Sequence, residues 1–146
     1  MKLRFQSVLA VAGLAAALFA APVAAKESLY KQLGGYDAIA AVTDAFLSKA
    51  TGDQTLKRFF VGHNQSALKV IRQHIVDFIC EKAGGPCVYT GRQMKEAHTG
   101  LKITGKDWDA SNKIFGVVMA DLKVPAPLQK EVVAFIGSLK GDIVGQ

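Results

Sequence analysis

Gly84-Gly85-Pro86-Cys87-Val88-Tyr89-Thr90-Gly91-Arg92-Gln93-Met94-Lys95-Glu96-Ala97-His98 is the stretch on which the reading of this chain turns. Its opening Gly-Gly-Pro stops whatever helix precedes it. Thr90-x-x-Gln93 has the Ser/Thr-x-x-Gln form in which a hydroxyl and an amide cap each other's backbone donors, so the spacing predicts a short helix starting there. Met94, His98 and Leu101 then share one face at i, i+4 and i+7, which points the His98 imidazole where apolar side chains point.

Upstream of the turn, Leu68, Ile71, Ile75, Phe78 and Ile79 fall on one side of a helix expected from about Ser66 to Ala83, with His74 at the edge of that stripe. Before it, Ser28 opens a turn that stops at Gly34-Gly35. Ile39, Val42, Phe46 and Ala50 follow at helical spacing as far as Gly52-Asp53. A short piece with Leu56, Phe59 and Phe60 leads into the polar loop Gly62-His63-Asn64-Gln65, where His63 is expected to be solvated. Downstream, Thr104-x-x-Asp107 is a second capping signature and opens a helix carrying Trp108, Phe115, Val118, Met119 and Leu122. Val124-Pro125-Ala126-Pro127 breaks it, and one last helix carries Leu128, Val132, Phe135, Ile136, Leu139 and Ile143. No alternating run argues for a sheet, so the fold class is all-α, with amphipathic helices crossing as in a globin or a bundle.

The chain has 146 residues, 50% hydrophobic and 21% charged, which suits a single globular domain and excludes a multidomain enzyme. Lys2 and Arg4 precede an Ala/Leu/Val run from Val8 to Ala21 and a small-residue end at Val23-Ala24-Ala25, so residues 1–25 read as a cleaved secretory signal peptide and 26–146 as the mature domain. The apolar run is short of the roughly 20 residues of a spanning helix. The product is therefore expected outside the cytoplasm, in a bacterial periplasm, with no membrane attachment after cleavage. The lysines are scattered without a basic run or aromatic ladder, which argues against a nucleic-acid partner. Cys80 and Cys87 flank the Gly84-Gly85-Pro86 turn, and a disulfide and two free thiols are both open for them. Their Cys-x6-Cys spacing fits no zinc motif, and no Cys-x-x-Cys-His exists for covalent haem attachment.

Chemistry has few places to sit. No local Ser/His/Asp or Cys/His arrangement, Gly-rich phosphate loop or pair of carboxylates on an apolar face supports a hydrolase or kinase. His98, and less clearly His74, are the titratable groups on apolar faces, each open to two readings: a hydrogen-bonded core imidazole or a metal ligand. Phe46, Phe59, Phe60, Phe78, Trp108, Phe115 and Phe135 supply enough large side chains either for an aromatic core or for the lining of a flat apolar cofactor.

Leu29-Tyr30-Lys31-Gln32-Leu33-Gly34-Gly35, Phe59-Phe60, Gly84-Gly85-Pro86, Tyr89-Thr90-Gly91-Arg92, Met94 and Ala97-His98, running into Leu101-Lys102-Ile103-Thr104, closely resemble group I truncated haemoglobins in order and spacing. The resemblance implies a two-over-two helical sandwich holding a noncovalent b-type haem. It makes His98 the proximal iron ligand and Phe60 the Phe that packs on the porphyrin, and puts Met94, Ile103 and Trp108 in pocket-lining positions. On the distal side Phe46, Leu47, Ile71, His74 and Ile75 fall in the pocket, with two departures from the family's common pattern. Leu47 stands where many members have Tyr, and Ile75 where many have Gln, so two alkyl groups replace two hydrogen-bond donors. His74 resembles the distal histidine that ligates iron in some members, and is equally readable as a surface residue. Lys69, Arg72, Arg92 and Lys95 are candidates for pairing with the haem propionates.

The implied function is binding of oxygen, nitric oxide and carbon monoxide at a His-ligated iron, with nitric oxide dioxygenase or peroxidase-like activity supplied by an unknown electron donor. The alternatives are a bis-histidyl electron-transfer protein closed by His98 and His74, and a cofactor-free periplasmic helical module.

Overall fold

The computed structural model describes residues 26–146; the leader expected at 1–25 lies outside the described residues. Among the described residues there are seven α-helices and no strand. They are α1 (Leu29–Gln32), α2 (Gly35–Gly52), α3 (Gln65–Lys82), α4 (Met94–His98), α5 (Gly105–Asp121), α6 (Ala126–Ser138) and α7 (Lys140–Ile143), with a single 3₁₀ turn at Lys57–Phe59. α2 packs on both α3 and α5, and α5 packs on α6. The two pairs α2/α3 and α5/α6 make the two layers.

Side-chain caps start the helices at the expected places. Ser28 Oγ accepts from the Lys31 N–H, Asn64 Oδ1 from the Ala67 N–H, and Thr104 and Asp107 form the reciprocal capping box. Because Asn64 is the cap, α3 begins one residue earlier than the stripe suggests. That helix also carries two apolar rows where the sequence pattern suggested one. Val76 and Cys80, fully buried, pack with Ile39 and Ala40 of α2, while Ile71, Ile75 and Phe78 line a cavity on the other side. A helix covered on two sides needs this wider apolar arc. Burying a side chain such as Val76 contributes about 1.5–3 kcal/mol.

Two local expectations are corrected. Thr90 does not open a helix: α4 starts at Met94 after Gln93, whose side chain makes no capping bond. Residues 90–93 are instead spent on a turn in which the Tyr89 hydroxyl donates to the Arg92 carbonyl at 2.6 Å. Gly91 leaves room for this turn, because a Cβ there would meet the Tyr89 ring and hydroxyl and displace them. The last apolar stripe is not one helix either. Ser138 Oγ donates to the Phe135 carbonyl, and with Gly137 and Gly141 close by the chain breaks at Leu139 into α6 and α7.

Candidate functional site

A cavity of about 720 Å³ lies between α2, α3 and the segment that ends in α4 and α5, within the ~300–1,000 Å³ typical of cofactor sites. All ten residues expected around a cofactor line it: Phe46 and Leu47 from α2, Phe60 after the 3₁₀ turn, Ile71, His74 and Ile75 from α3, Met94 and His98 from α4, then Ile103 and Trp108. The chain's three histidines all border this one space, because His63, expected to be solvated, is exposed and yet reaches its rim. Tyr89, Leu139 and Ile143 were also missed. The signal for the last two was present in the final stripe, whose end closes the cavity from α6 and α7.

His98 is half-buried, and its Nδ1 lies 2.7 Å from the Met94 carbonyl oxygen. A carbonyl can only accept, so Nδ1 is the protonated nitrogen and donates. In the neutral ring it is then Nε2 that carries the lone pair. The short helix that holds it is fixed from both sides. Upstream, Cys80 and Cys87 are disulfide-bonded with a Cα–Cα distance of 5.8 Å. The Tyr89 N–H donates to Glu81 Oε2 at 2.8 Å, and this bond, with help from Lys82, holds the Glu81 carboxyl below its ordinary value. Between the cysteines, a Cβ on Gly85 would come within 2.5 Å of Tyr30 Cδ2 and 2.7 Å of Cys80 Sγ, so the turn is packed tightly on α1.

Downstream, one oxygen of the buried Asp107 accepts from Thr104 N–H (2.8 Å), Thr104 Oγ1 (2.6 Å) and Arg58 Nη2 (2.6 Å). Burial alone would raise this carboxyl, and these donors more than reverse it, leaving it below the usual aspartate value. Arg58 lies over the Phe59 ring at 4.4 Å. The carboxylate thus ties the 3₁₀ turn carrying Phe59 to the start of α5.

Across the cavity, the two polar side chains that precede His74 on α3 are engaged away from it. Arg72 makes a two-point ion pair with Asp44 (2.6 and 2.9 Å), which lowers the Asp44 carboxyl through that hydrogen bond. Gln73 Nε2 donates to the Tyr36 hydroxyl and to Asp77. His74 alone of the three lines the cavity, its ring edge-on to Tyr89 at 6.0 Å, and Tyr89 is in turn edge-on to Phe78 at 5.1 Å. Burial pushes the Tyr89 hydroxyl upward. Of the four basic candidates for anionic groups, Arg92 lines the cavity; Lys69, Arg72 and Lys95 do not.

A flat, largely apolar cofactor with an acidic edge fits this donor set: aromatic and aliphatic walls, one imidazole with a free Nε2, and an arginine at the rim. The family profile described as bacterial-like globin matches residues 28–144. A group 1 truncated haemoglobin of Mycolicibacterium paratuberculosis is 30% identical over 80% of this chain and 83% of its own length, and one of Nostoc sp. is 31% identical over 82% and 98%. Among solved structures, the truncated haemoglobin of Tetrahymena pyriformis in its Fe(III) form superposes with a TM-score of 0.76 at 27% identity, covering 82% of this chain and all of that one. The 2/2 haemoglobin of Synechococcus sp., solved in the cyanomet state with covalently attached haem, gives 0.73 at 29% identity over the same shares. With a two-over-two helical fold, a cavity walled from both layers and a family match across nearly all the described residues, the chain belongs to the bacterial-like globins as a group 1 truncated haemoglobin.

Proposed function

We propose that this protein holds a noncovalent b-type haem through His98 Nε2 and binds diatomic gases on the His74 side. Haem and gaseous ligands go with membership of the family; the assignment of residues is the proposal. Its main support is the His98–Met94 hydrogen bond, which fixes the ring and its tautomer so that the lone pair is available as a ligand. The cofactor would supply an iron that binds oxygen, nitric oxide and carbon monoxide and exchanges one electron. Phe60, Met94, Ile103 and Trp108 would cover its faces and exclude water. Arg92 at the rim would pair with a propionate. Leu47 and Ile75 give a bound ligand no hydrogen bond, and with Arg72 and Gln73 tied elsewhere His74 is the donor α3 offers. Such a pocket releases oxygen quickly, which favours turnover of nitric oxide or peroxide with an external electron donor over storage.

His74 also supports a second reading, a bis-histidyl electron carrier, because it borders the same cavity as His98 from a facing helix and Tyr89 packs against its ring. Export is part of the proposal: the leader-like residues 1–25 and the disulfide both suit an oxidising compartment. Cell fractionation beside a periplasmic marker tests it.

The deciding experiment is the absorption spectrum of residues 26–146 after adding haem, ferric and then ferrous with carbon monoxide. A Soret band in the wild type that His98→Ala abolishes supports proximal ligation. A low-spin ferric state that becomes high-spin in His74→Ala selects the bis-histidyl reading. A Soret band removed by acid-acetone extraction supports noncovalent attachment. No specific haem uptake by the wild type leaves a cofactor-free helical module.

A further inference from the structure

Two helices of this molecule end by the same pair of hydrogen bonds, and one of them does so at a cost. After α3, the Gly84 N–H donates to the Glu81 carbonyl and the Gly85 N–H to that of Cys80, with Gly84 at φ +82°. After α5, the Lys123 N–H donates to the Ala120 carbonyl and the Val124 N–H to that of Met119, with Lys123 at φ +56°. Glycine is the usual residue at this left-handed position, because a Cβ is unfavourable there. The end of α5 carries a lysine instead, and that lysine lines a second cavity.

This cavity has a volume of about 300 Å³ and lies among α1, α2, α5 and α6. Lys123 is the one charged side chain among its lining residues, and Gln32 is the other polar one. Ala41, Leu122, Lys123 and Pro125 line it and are also exposed, so it opens between α2 and the turn from α5 to α6. Gln32 Nε2 donates to the Glu27 carbonyl, and Asp121, close to Lys123 in the chain, pairs with Lys49 at 3.3 Å. Lys123 itself is in no ion pair among the described residues. Ile79, Phe115 and Ile136 border both cavities, whereas Leu128 and Val132 line this one alone. Space of this size between apolar walls forfeits dispersion contacts and gives water few partners, so an apolar occupant stabilises it.

We propose that this second cavity binds a medium-chain fatty acid, its alkyl tail among the apolar side chains and its carboxylate at the Lys123 ammonium. The lining selects the tail, and the free cation at the mouth selects an anionic head. The volume, at the small end of the ~300–1,000 Å³ of ligand sites, limits the length of the chain. Left-handed backbone at Lys123 costs stability relative to glycine, and the cation it supplies orients the ligand. The site does not depend on what fills the larger cavity.

The test uses residues 26–146 loaded with haem, in the ferrous carbon monoxide form, and isotope-labelled decanoate as the probe. NMR contacts from the tail are expected at the methyls of Leu128 and Val132 and not at Ile71 or Ile75, which line only the larger cavity. This map can be read with or without haem, so a chain that takes up none still tests the site, while its missing Soret band separately sinks the haem reading. By calorimetry, affinity should rise about fourfold per methylene from hexanoate to decanoate. Lys123→Gly should fold at least as stably as the wild type, by its urea midpoint, yet bind decanoate about fivefold more weakly, the upper range for an exposed ion pair. Decanol, which has the tail without the charge, should bind both proteins equally and more weakly than decanoate binds the wild type. Ala41→Phe, at an exposed position on the mouth, should weaken decanoate about tenfold by crowding the entrance. Tail contacts at Ile71 or Ile75, an affinity that is flat across the chain-length series, or decanoate binding unaltered in Lys123→Gly would overturn the proposal.

Discussion

The two sides of the cavity are held in different ways. His98 is placed by devices lying close along the chain: the Cys80–Cys87 bond, the Glu81 carboxylate on the Tyr89 N–H, the Tyr89–Arg92 turn, its own bond to Met94, and the capping box at Thr104 and Asp107. His74 is placed by a long helix whose other face is packed into α2 through Val76 and Cys80, and whose neighbouring polar groups are drawn away by Asp44, Tyr36 and Asp77. One side is a chain of short covalent and polar links; the other depends on two helices meeting correctly. Damage to the first should therefore show in how firmly the cavity is held together, and damage to the second in what a ligand there experiences.

The largest effect after loss of His98 is expected from Cys80→Ala/Cys87→Ala. Closing a loop of this size is worth about 2.5 kcal/mol, to be read by urea denaturation, and haem should leave the variant faster. Next comes Asp107→Asn, at about 2 kcal/mol near neutral pH. Its carboxyl lies below the ordinary 3.8 in the folded chain, so its contribution is present above that value and fades as pH falls through the folded one. Denaturation of wild type and variant between pH 2.5 and 7 should accordingly converge on the acid side. Third, Ile75→Gln should slow oxygen release about tenfold, the equivalent of 1.4 kcal/mol, measured by flash photolysis; an unchanged rate would leave His74 as the residue that governs the ligand. The smallest change is expected for Arg72→Ala: its ion pair is partly exposed and is worth under about 1 kcal/mol. Altered gas kinetics in that variant would blur the contrast by showing that the guanidinium reaches the ligand.

The same contrast explains what the sequence made legible. Local rules located the helix starts at Ser28 and Thr104, and the Met94/His98/Leu101 spacing put the imidazole on the inner face before any tertiary contact was known. They misjudged Thr90, because the ring of Tyr89 claims that turn, and neither capping nor periodicity contains a ring position. Val76 and Cys80 were hidden because a stripe counts one buried face, and only the arrival of α2 creates the second. His63 was read from its polar neighbours as a loop residue. It is one, but Gly62, with φ +85°, lies in the turn that brings it to the rim. The ten lining residues were legible chiefly through resemblance, since periodicity alone left both an aromatic core and a cofactor wall open.

The seven-residue separation of Cys80 and Cys87 also sets an order of events in the life of the molecule. A chain whose thiols are still reduced lacks that loop closure and opens roughly 70-fold more readily at equilibrium than the oxidised one, by the same 2.5 kcal/mol. Stability is thereby deferred to the moment of oxidation. Under the export proposed above, this timing lets the chain yield easily before oxidation and resist unfolding afterwards.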